Sequence, residues 1–378
     1  MQQGRSAQPT VPSIPLVPYK ETNFRELLPG EEWWRDNQAW LEERGYTLRP
    51  RYRVGWQPSW DPDDPFDRLR REDGWYSRGR FSIVDATRSN GTYVFLKKIP
   101  PEPEVKELEV IQYVNSEPLA SDPRNHSVSL LEVLEPPDGS EKISVTPLLR
   151  PFDDPRFETF GEAVAFFDQI FECLQFLHEH HVAHRDCTVN NIMMDGSMYP
   201  DSFHPIVVDR RRDWKGKAKH YTRTQRPLRY YFIDFGLSDI FKPEDGPPLV
   251  QPVRGGDKSA PEHSGDNYYV LHDPFPTDVY YLGNLIRENF VQKYYGFEFI
   301  LPLMTDMVAQ DPSKRPNIEQ VVSRFRDIRG ALSSWKLRSR MRRRKEIWPL
   351  TIYLSVGAWC RRLGYIVTRT PAIPVPRK

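Results

Sequence analysis

The chain has 378 residues with 53 Lys+Arg against 52 Asp+Glu. The net charge of +1 gives no global nucleic-acid signature, so any basic partner site must be local. The length allows about two or three domain-sized units, or one large domain with tails.

Cys173, Cys187 and Cys360 are too few and too scattered for a disulfide framework, and no CxxC pair marks zinc. No disulfide is expected, which fits an intracellular compartment, cytoplasmic or nuclear. MQQGRSAQPT lacks the apolar stretch of a secretory signal, and no run of about 20 apolar residues predicts an ordinary transmembrane helix. Proline, at 36 residues, is about twice its usual frequency and predicts irregular stretches.

Residues 1–28 read as a disordered Pro-rich tail. Pro9, Pro12, Pro15 and Pro18 recur with the three-residue period of polyproline II. An SH3- or WW-type partner over 9–18 is one reading, and an unstructured tail is the simpler one. Residues 29–75 form a Trp-rich helix and a linker. The helix, 29–45, opens at Pro29-Gly30 with Glu31 and Glu32 at its positive end, and Gly45 stops it. Trp33, Asn37, Trp40, Leu41 and Arg44 share one side, a packing face that would clasp the main domain. Residues 50–75 are broken by Pro and Gly.

From 76 the texture changes. Phe81–Thr87 and Thr92–Ile99 read as strands joined at Ser89-Asn90-Gly91. Glu104–Asn115 is helical through Leu108, Ile111 and Val114. Leu130–Leu134 and Lys142–Leu149 are strands around a Pro-Pro-Asp-Gly turn. Phe160–His181 is a long amphipathic helix with Phe167, Ile170, Leu174 and Leu177 on its apolar face. Thr277–Glu288, Leu301–Ala309 and Ile318–Leu332 are helices by the same test. Strands first and helices later predict a two-lobed α+β body.

Residues 333–378 form a basic and apolar tail. Arg338–Lys345 is basic, Ile347–Cys360 is apolar, and Arg361-Arg362 interrupts it. Fourteen residues are too few to span a bilayer as a helix. Membrane contact over 338–360, at an anionic surface, is one reading. The reading adopted is a helix packed back on the domain.

Three motifs carry the chemistry. His184-Arg185-Asp186-Cys187-Thr188-Val189-Asn190-Asn191 follows the long helix. Tyr231-Phe232-Ile233-Asp234-Phe235-Gly236 comes next, then Ala260-Pro261-Glu262. Each triplet alone is weak, but the ordered set is specific. It resembles the eukaryotic protein kinases over roughly 76–332. The wider texture, with its Trp-rich leader, resembles fungal kinase-domain proteins.

The resemblance implies a bilobal protein-kinase-like fold of α+β class. A small mainly-β N-lobe (76–149) would carry one key helix, beside a larger mainly-α C-lobe (150–332). It implies ATP and Mg as cofactors and a Ser/Thr hydroxyl of a protein substrate as acceptor. Asp186 matches the base, and Asn191 and Asp234 match the metal ligands. Lys97, in Val94-Phe95-Leu96-Lys97, matches the lysine on the α/β-phosphates, with Glu107 as its partner and Glu109 as second choice. Gly79, Thr146 and Leu148 complete the nucleotide contacts. Strand alternation points Lys98 to the other face. Asp278 matches the aspartate that caps the catalytic loop, and Arg315 the arginine that pairs with Glu262.

The sequence departs from that pattern in four places. No GxGxxG precedes the second strand, only Gly74-Trp-Tyr-Ser-Arg-Gly79-Arg-Phe81, and Arg78 or Arg80 are candidates to compensate by charge. Thr188 replaces a lysine and Gly255 stands near its missing threonine partner, with Lys258 a candidate replacement cation. Between Asp234 and Glu262 only Ser238 and Ser259 bear hydroxyls, which speaks against a mid-segment phosphorylation switch. Glu244 or Asp245 are candidates for a fixed negative charge facing Arg185. Finally, an insertion near 196–229 carries a basic stretch over 210–229, while little chain separates Gly283 from Leu301. The basic stretch reads as a dock for an acidic partner, a nuclear address, or a solvated hairpin tip. Two main functions compete: an active protein kinase, and a pseudokinase acting as a binding or scaffold module. Phosphoryl transfer to a small molecule is a third.

Overall fold

The computed structural model describes residues 25–61, 63–64, 66–76, 81–101, 106–139, 141–253 and 255–376. The proline repeat at 9–18, Arg78, Gly79 and Arg80 lie outside the described residues. The chain forms two compact units.

The first unit takes residues up to 105, 130–148 and 203–217. It holds helices α1 (Glu32–Asp36) and α2 (Gln38–Glu43) and strands β1 (Tyr46–Leu48), β2 (Ile83–Arg88), β3 (Tyr93–Ile99), β4 (Glu132–Leu134) and β5 (Lys142–Pro147). The strands make one antiparallel sheet in the order β1-β2-β3-β5-β4. Alternation puts Val84, Ala86, Val94, Leu96, Ile143 and Val145 on one face. That face is buried by Trp34, Leu41, Tyr46, Leu48 and Tyr52 of the leader. The leader therefore clasps the sheet and extends it with β1.

The leader is two short helices where one was expected. The break is at Asn37 (φ −99, ψ 8), whose side chain donates to Trp33 O. The break also changes which tryptophan is central. Trp34, 1 % exposed, sits in the core with its Nε1 donating to Phe81 O at 2.8 Å, while Trp33 and Trp40 pack around it. Lys98 faces this side as alternation predicts, with Nζ 4.8 Å from the Trp33 ring and 2.8 Å from Glu141.

Charge orders the Pro/Gly-broken stretch. Arg51 holds Glu31 through two bonds of 2.9 and 2.8 Å, and Asp73 accepts from Ser59 and Trp56. Residues 203–217 are fastened in the same way, so this part of the insertion is no solvated tip. Arg212 lies 2.6 Å from Asp85, whose other oxygen takes Arg49 at 2.9 Å. His204 meets Glu72 at 3.1 Å, and Trp214 donates to Arg70 O. Burial pushes the Asp85 carboxyl up, but Arg49 and Arg212 outweigh it and leave it below the usual carboxylate range. Its contribution to stability is thus present above the unfolded-state pKa and is lost on acidification.

The second unit takes 106–129, 149–202 and 218 onward. It holds α3 (Glu107–Val114), β6 (Arg150–Pro151), α4 (Phe160–Glu179), β7 (Val182–Ala183), β8 (Ile192–Met194), β9 (Tyr230–Phe232) and β10 (Asp239–Ile240). Helices α5 (Phe275–Ile286), α6 (Leu301–Met307), α7 (Ile318–Ala331), α8 (Ser334–Leu337) and α9 (Trp348–Val367) complete it. The expected α+β organisation, a small mainly-β part and a larger mainly-α part, is present. A Thr159/Glu162 capping box starts α4, whose Phe166 and Phe167 join Phe157, Phe290 and Phe297 in an aromatic core. Helix α5 ends in a π-helical turn over Arg287–Val291. Arg361-Arg362 does not end the apolar segment. Helix α9 runs through it, because Arg362 turns inward, 3.3 Å from the Trp335 ring centroid, and donates to Trp335 O.

Two stability predictions follow from these contacts. Asp85→Ala leaves two arginines without their buried partner and should cost about 3–5 kcal/mol, read from urea unfolding at neutral pH. On α4, burial pushes the Asp168 carboxyl up to about 6 despite Arg329 at 2.9 Å. A raised carboxyl stabilises the fold below its unfolded-state pKa, and that contribution fades as pH rises through the folded value. The melting temperature of Asp168→Asn relative to wild type should therefore climb as pH rises from about 4 to about 6 and level off above that. A pH-independent difference would contradict it.

Candidate active site

Within the second unit, a hairpin brings two sequence-predicted residues to one end. Strands β8 and β9 pair Ile192 with Phe232, and Ile233 N donates to Asn191 O at 2.9 Å. Asn191, just before β8, and Asp234, just after β9, therefore neighbour each other. Asp234 has left-handed backbone (φ 62, ψ 74). The bare Cα of Gly236 makes room for two carboxylates. A Cβ there would lie 3.3 Å from Asp234 Oδ1 and 3.3 Å from Glu107 Oε2. Glu107, the first residue of α3, is buried and converges on the same spot.

Asp186 is held from both sides. Asn191 Nδ2 donates to its Oδ2 at 2.8 Å and to its main-chain oxygen at 3.1 Å. Gly256 N donates to its Oδ1 at 2.8 Å. The loop carrying it is pinned by fully buried Asp278, which accepts from His184 N at 2.8 Å and Arg185 N at 2.7 Å. His178 Nε2 lies 3.2 Å from the same carboxylate, and His184 Nε2 lies 3.1 Å from Ile233 O.

The end of the following segment is fixed by Glu262 and Arg315 through bonds of 2.6 and 2.8 Å, with Thr277 Oγ1 adding 2.7 Å. Burial pushes the Glu262 carboxyl up, and Arg315 with Thr277 brings it below its ordinary range. The Asp278 cap and this pair are where the motifs placed them.

Gly255 and Gly256 pack against Asp186 and Thr188, at the place where the sequence departs from the expected pattern. A Cβ on Gly255 would meet Asp186 Oδ1 at 2.7 Å, and one on Gly256 would meet Thr188 Oγ1 at 2.9 Å. Backbone fills the space that two longer side chains would need. Thr188 Oγ1 is buried and has no hydrogen-bond partner among the described residues. Lys258 is exposed, while its neighbour Asp257 is anchored by Asn284 Nδ2 at 2.6 Å.

Two expectations need correcting. Arg185 faces Asp239 at 3.7 Å and donates to Gln251 O at 2.8 Å, in place of Glu244 or Asp245. Asp239 already lies in the segment and also takes Lys106 at 2.8 Å. The basic stretch 210–229 is also less free than its sequence suggests. Arg212 is bound to Asp85, and buried Arg223 donates to Phe152 O and Tyr230 OH.

Lys97 belongs to the sheet unit. On β3 it pairs with Ser144 and Ile83, and it shares its face with Phe95, opposite Thr146. Leu148 N donates to Tyr93 O at 3.0 Å. The same face carries Tyr93, with the Arg212 guanidinium 4.8 Å from its ring.

The donor set suits a nucleotide-borne magnesium. Asn191 spends its amide nitrogen on Asp186, so its Oδ1 remains for a cation beside the Asp234 carboxylate. No cluster of three or more His, Cys, Asp or Glu among the described residues could hold a metal alone. Magnesium does not require one, since it keeps waters and takes phosphate oxygens with one or two carboxylates.

No family model and no curated protein matches the sequence. Among solved structures, the Rad53 kinase domain with SCD2 is similar at 15 % identity, over 64 % of this chain and 82 % of that one, with a TM-score of 0.39.

Removing one side of the Glu262–Arg315 pair tests the site's frame. Glu262→Ala strands a buried guanidinium and should cost about 3–5 kcal/mol of stability, measured by chemical denaturation.

Proposed function

We propose that the chain is a protein kinase that transfers the γ-phosphoryl group of ATP to a Ser/Thr hydroxyl of a protein substrate. The observation that carries this reading is the Asp186 carboxylate, clamped by Asn191 and Gly256 next to Asp234. Phosphoryl transfer needs little covalent help and much positioning. Asp186 accepts the proton of the attacking hydroxyl, and the two donors fix the direction of its lone pairs. Asp234 and Asn191 hold the magnesium, which neutralises phosphate charge when bound. On this reading Lys97 is the residue for the α/β-phosphates, and Thr146 and Leu148 of the same sheet unit serve the nucleotide.

The pseudokinase reading has its own support. Both Asp186 oxygens already accept hydrogen bonds, and Phe95 puts a bulky ring on the face of Lys97. Magnesium-dependent ATP turnover of the purified chain, beside Asp186→Ala and Asp234→Ala, separates the two. The kinase reading expects a loss of at least about a hundredfold in Asp186→Ala. Wild-type turnover no higher than that of both variants refutes it. A melting temperature raised by Mg-ATP, without turnover, identifies a nucleotide-binding pseudokinase.

A further inference from the structure

Helix α9 is amphipathic the wrong way round. Thr351, Ser355, Ala358, Arg362 and Tyr365 recur at helical spacing and form its less exposed side. Arg362 stacks on Trp335, and Tyr365 OH lies 2.8 Å from Thr222 Oγ1. The opposite stripe is apolar and open to solvent: Tyr353 is 76 % exposed, Val356 60 %, Leu363 56 % and Val367 81 %. Trp348 (73 %) and Trp359 (49 %) flank it. Isolated exposed apolar residues are ordinary, but a contiguous stripe of this kind marks an interaction surface.

The surroundings identify what covers it. No Asp or Glu occurs from 347 to 378. Just before the helix, Arg342, Arg344 and Lys345 are exposed, with no carboxylate partner among the described residues. Glu346, the last acidic residue, is taken by Arg340 at 2.6 Å. A second copy laid on this face would bring basic segment against basic segment, which is repulsive. An anionic lipid surface satisfies both features at once. Acyl chains cover the apolar stripe, head groups meet the arginines, and Trp and Tyr suit the boundary between them. No helix among the described residues is long and apolar enough to cross a membrane, so the geometry is in-plane.

We propose that α9, with the basic segment before it, docks the protein on an anionic membrane surface, lying in the interface with Tyr353, Val356, Leu363 and Val367 inserted. This does not depend on whether the second unit turns over ATP.

Cosedimentation of the full chain with vesicles tests it. Phosphatidylcholine vesicles containing phosphatidylserine should bind the protein, and phosphatidylcholine alone should bind it far less. Tyr353→Asp with Val356→Asp should abolish binding without lowering the melting temperature, because both side chains are exposed. Replacing Arg342, Arg344 and Lys345 together with Gln should weaken partitioning about a hundredfold at low salt and flatten its salt dependence. Equal binding to both vesicle types, or none to either, overturns the proposal. So does a wild-type dimer that Tyr353→Asp with Val356→Asp dissociates while vesicle binding is absent.

Discussion

The site depends on one buried carboxylate. Asp278 is fully buried on α5, and an ionised group there is tolerable only if its lone pairs are satisfied. It is satisfied by the main-chain N–H groups of His184 and Arg185. Those bonds fix the backbone next to Asp186, including Arg185 in left-handed conformation (φ 65). The burial of this carboxyl group and the placement of the loop that carries Asp186 are thus one fact. His184 then passes the constraint on to the Ile233 carbonyl, one residue before Asp234. A single carboxylate registers the loop of Asp186 against the turn of Asp234.

The same economy governs the segment that follows. Where a lysine–threonine contact would hold the segment by side chains, Gly255 and Gly256 hold it by backbone. The exchange is consistent on both strands of the contact. Thr188 is short enough to leave room, and the glycines are bare enough to use it. Substituting a lysine at 188 alone would not restore the other arrangement, because Gly256 already occupies the space beside that side chain.

The candidate site was legible because each residue lies at a fixed offset on a short local element. Asp186 and Asn191 share one loop, Asp234 ends one strand, and β8 pairs with β9. Lys98 and the Asp278 cap were legible for the same reason. The partners of long-range charge were not. Arg49, Glu72, Asp85, His204 and Arg212 meet although they come from four separate stretches, and no local period announces that. The break at Asn37 was hidden because Trp33 and Trp40 satisfy a continuous helical spacing, whereas the core selects Trp34. Arg361-Arg362 looked like an interruption because charge was read as exposure. An arginine can carry its stem and guanidinium onto a tryptophan face and remain inside a helix.

That use of arginine also reinterprets the near-neutral charge. Arg49, Arg51, Arg223, Arg315 and Arg362 are buried and serve as internal braces, each on a carboxylate, a carbonyl or an aromatic ring. Charges consumed in this way contribute little to the field outside. What remains outside is unevenly placed, since acidic residues stop at Glu346 and exposed Arg342, Arg344 and Lys345 have no carboxylate partner among the described residues. The net charge of +1 is therefore an average over a braced interior and a one-signed C-terminal surface. Helix α9 sits on that surface with its polar side spent on the protein and its apolar side left over. A helix stabilised only by packing would be arranged the other way.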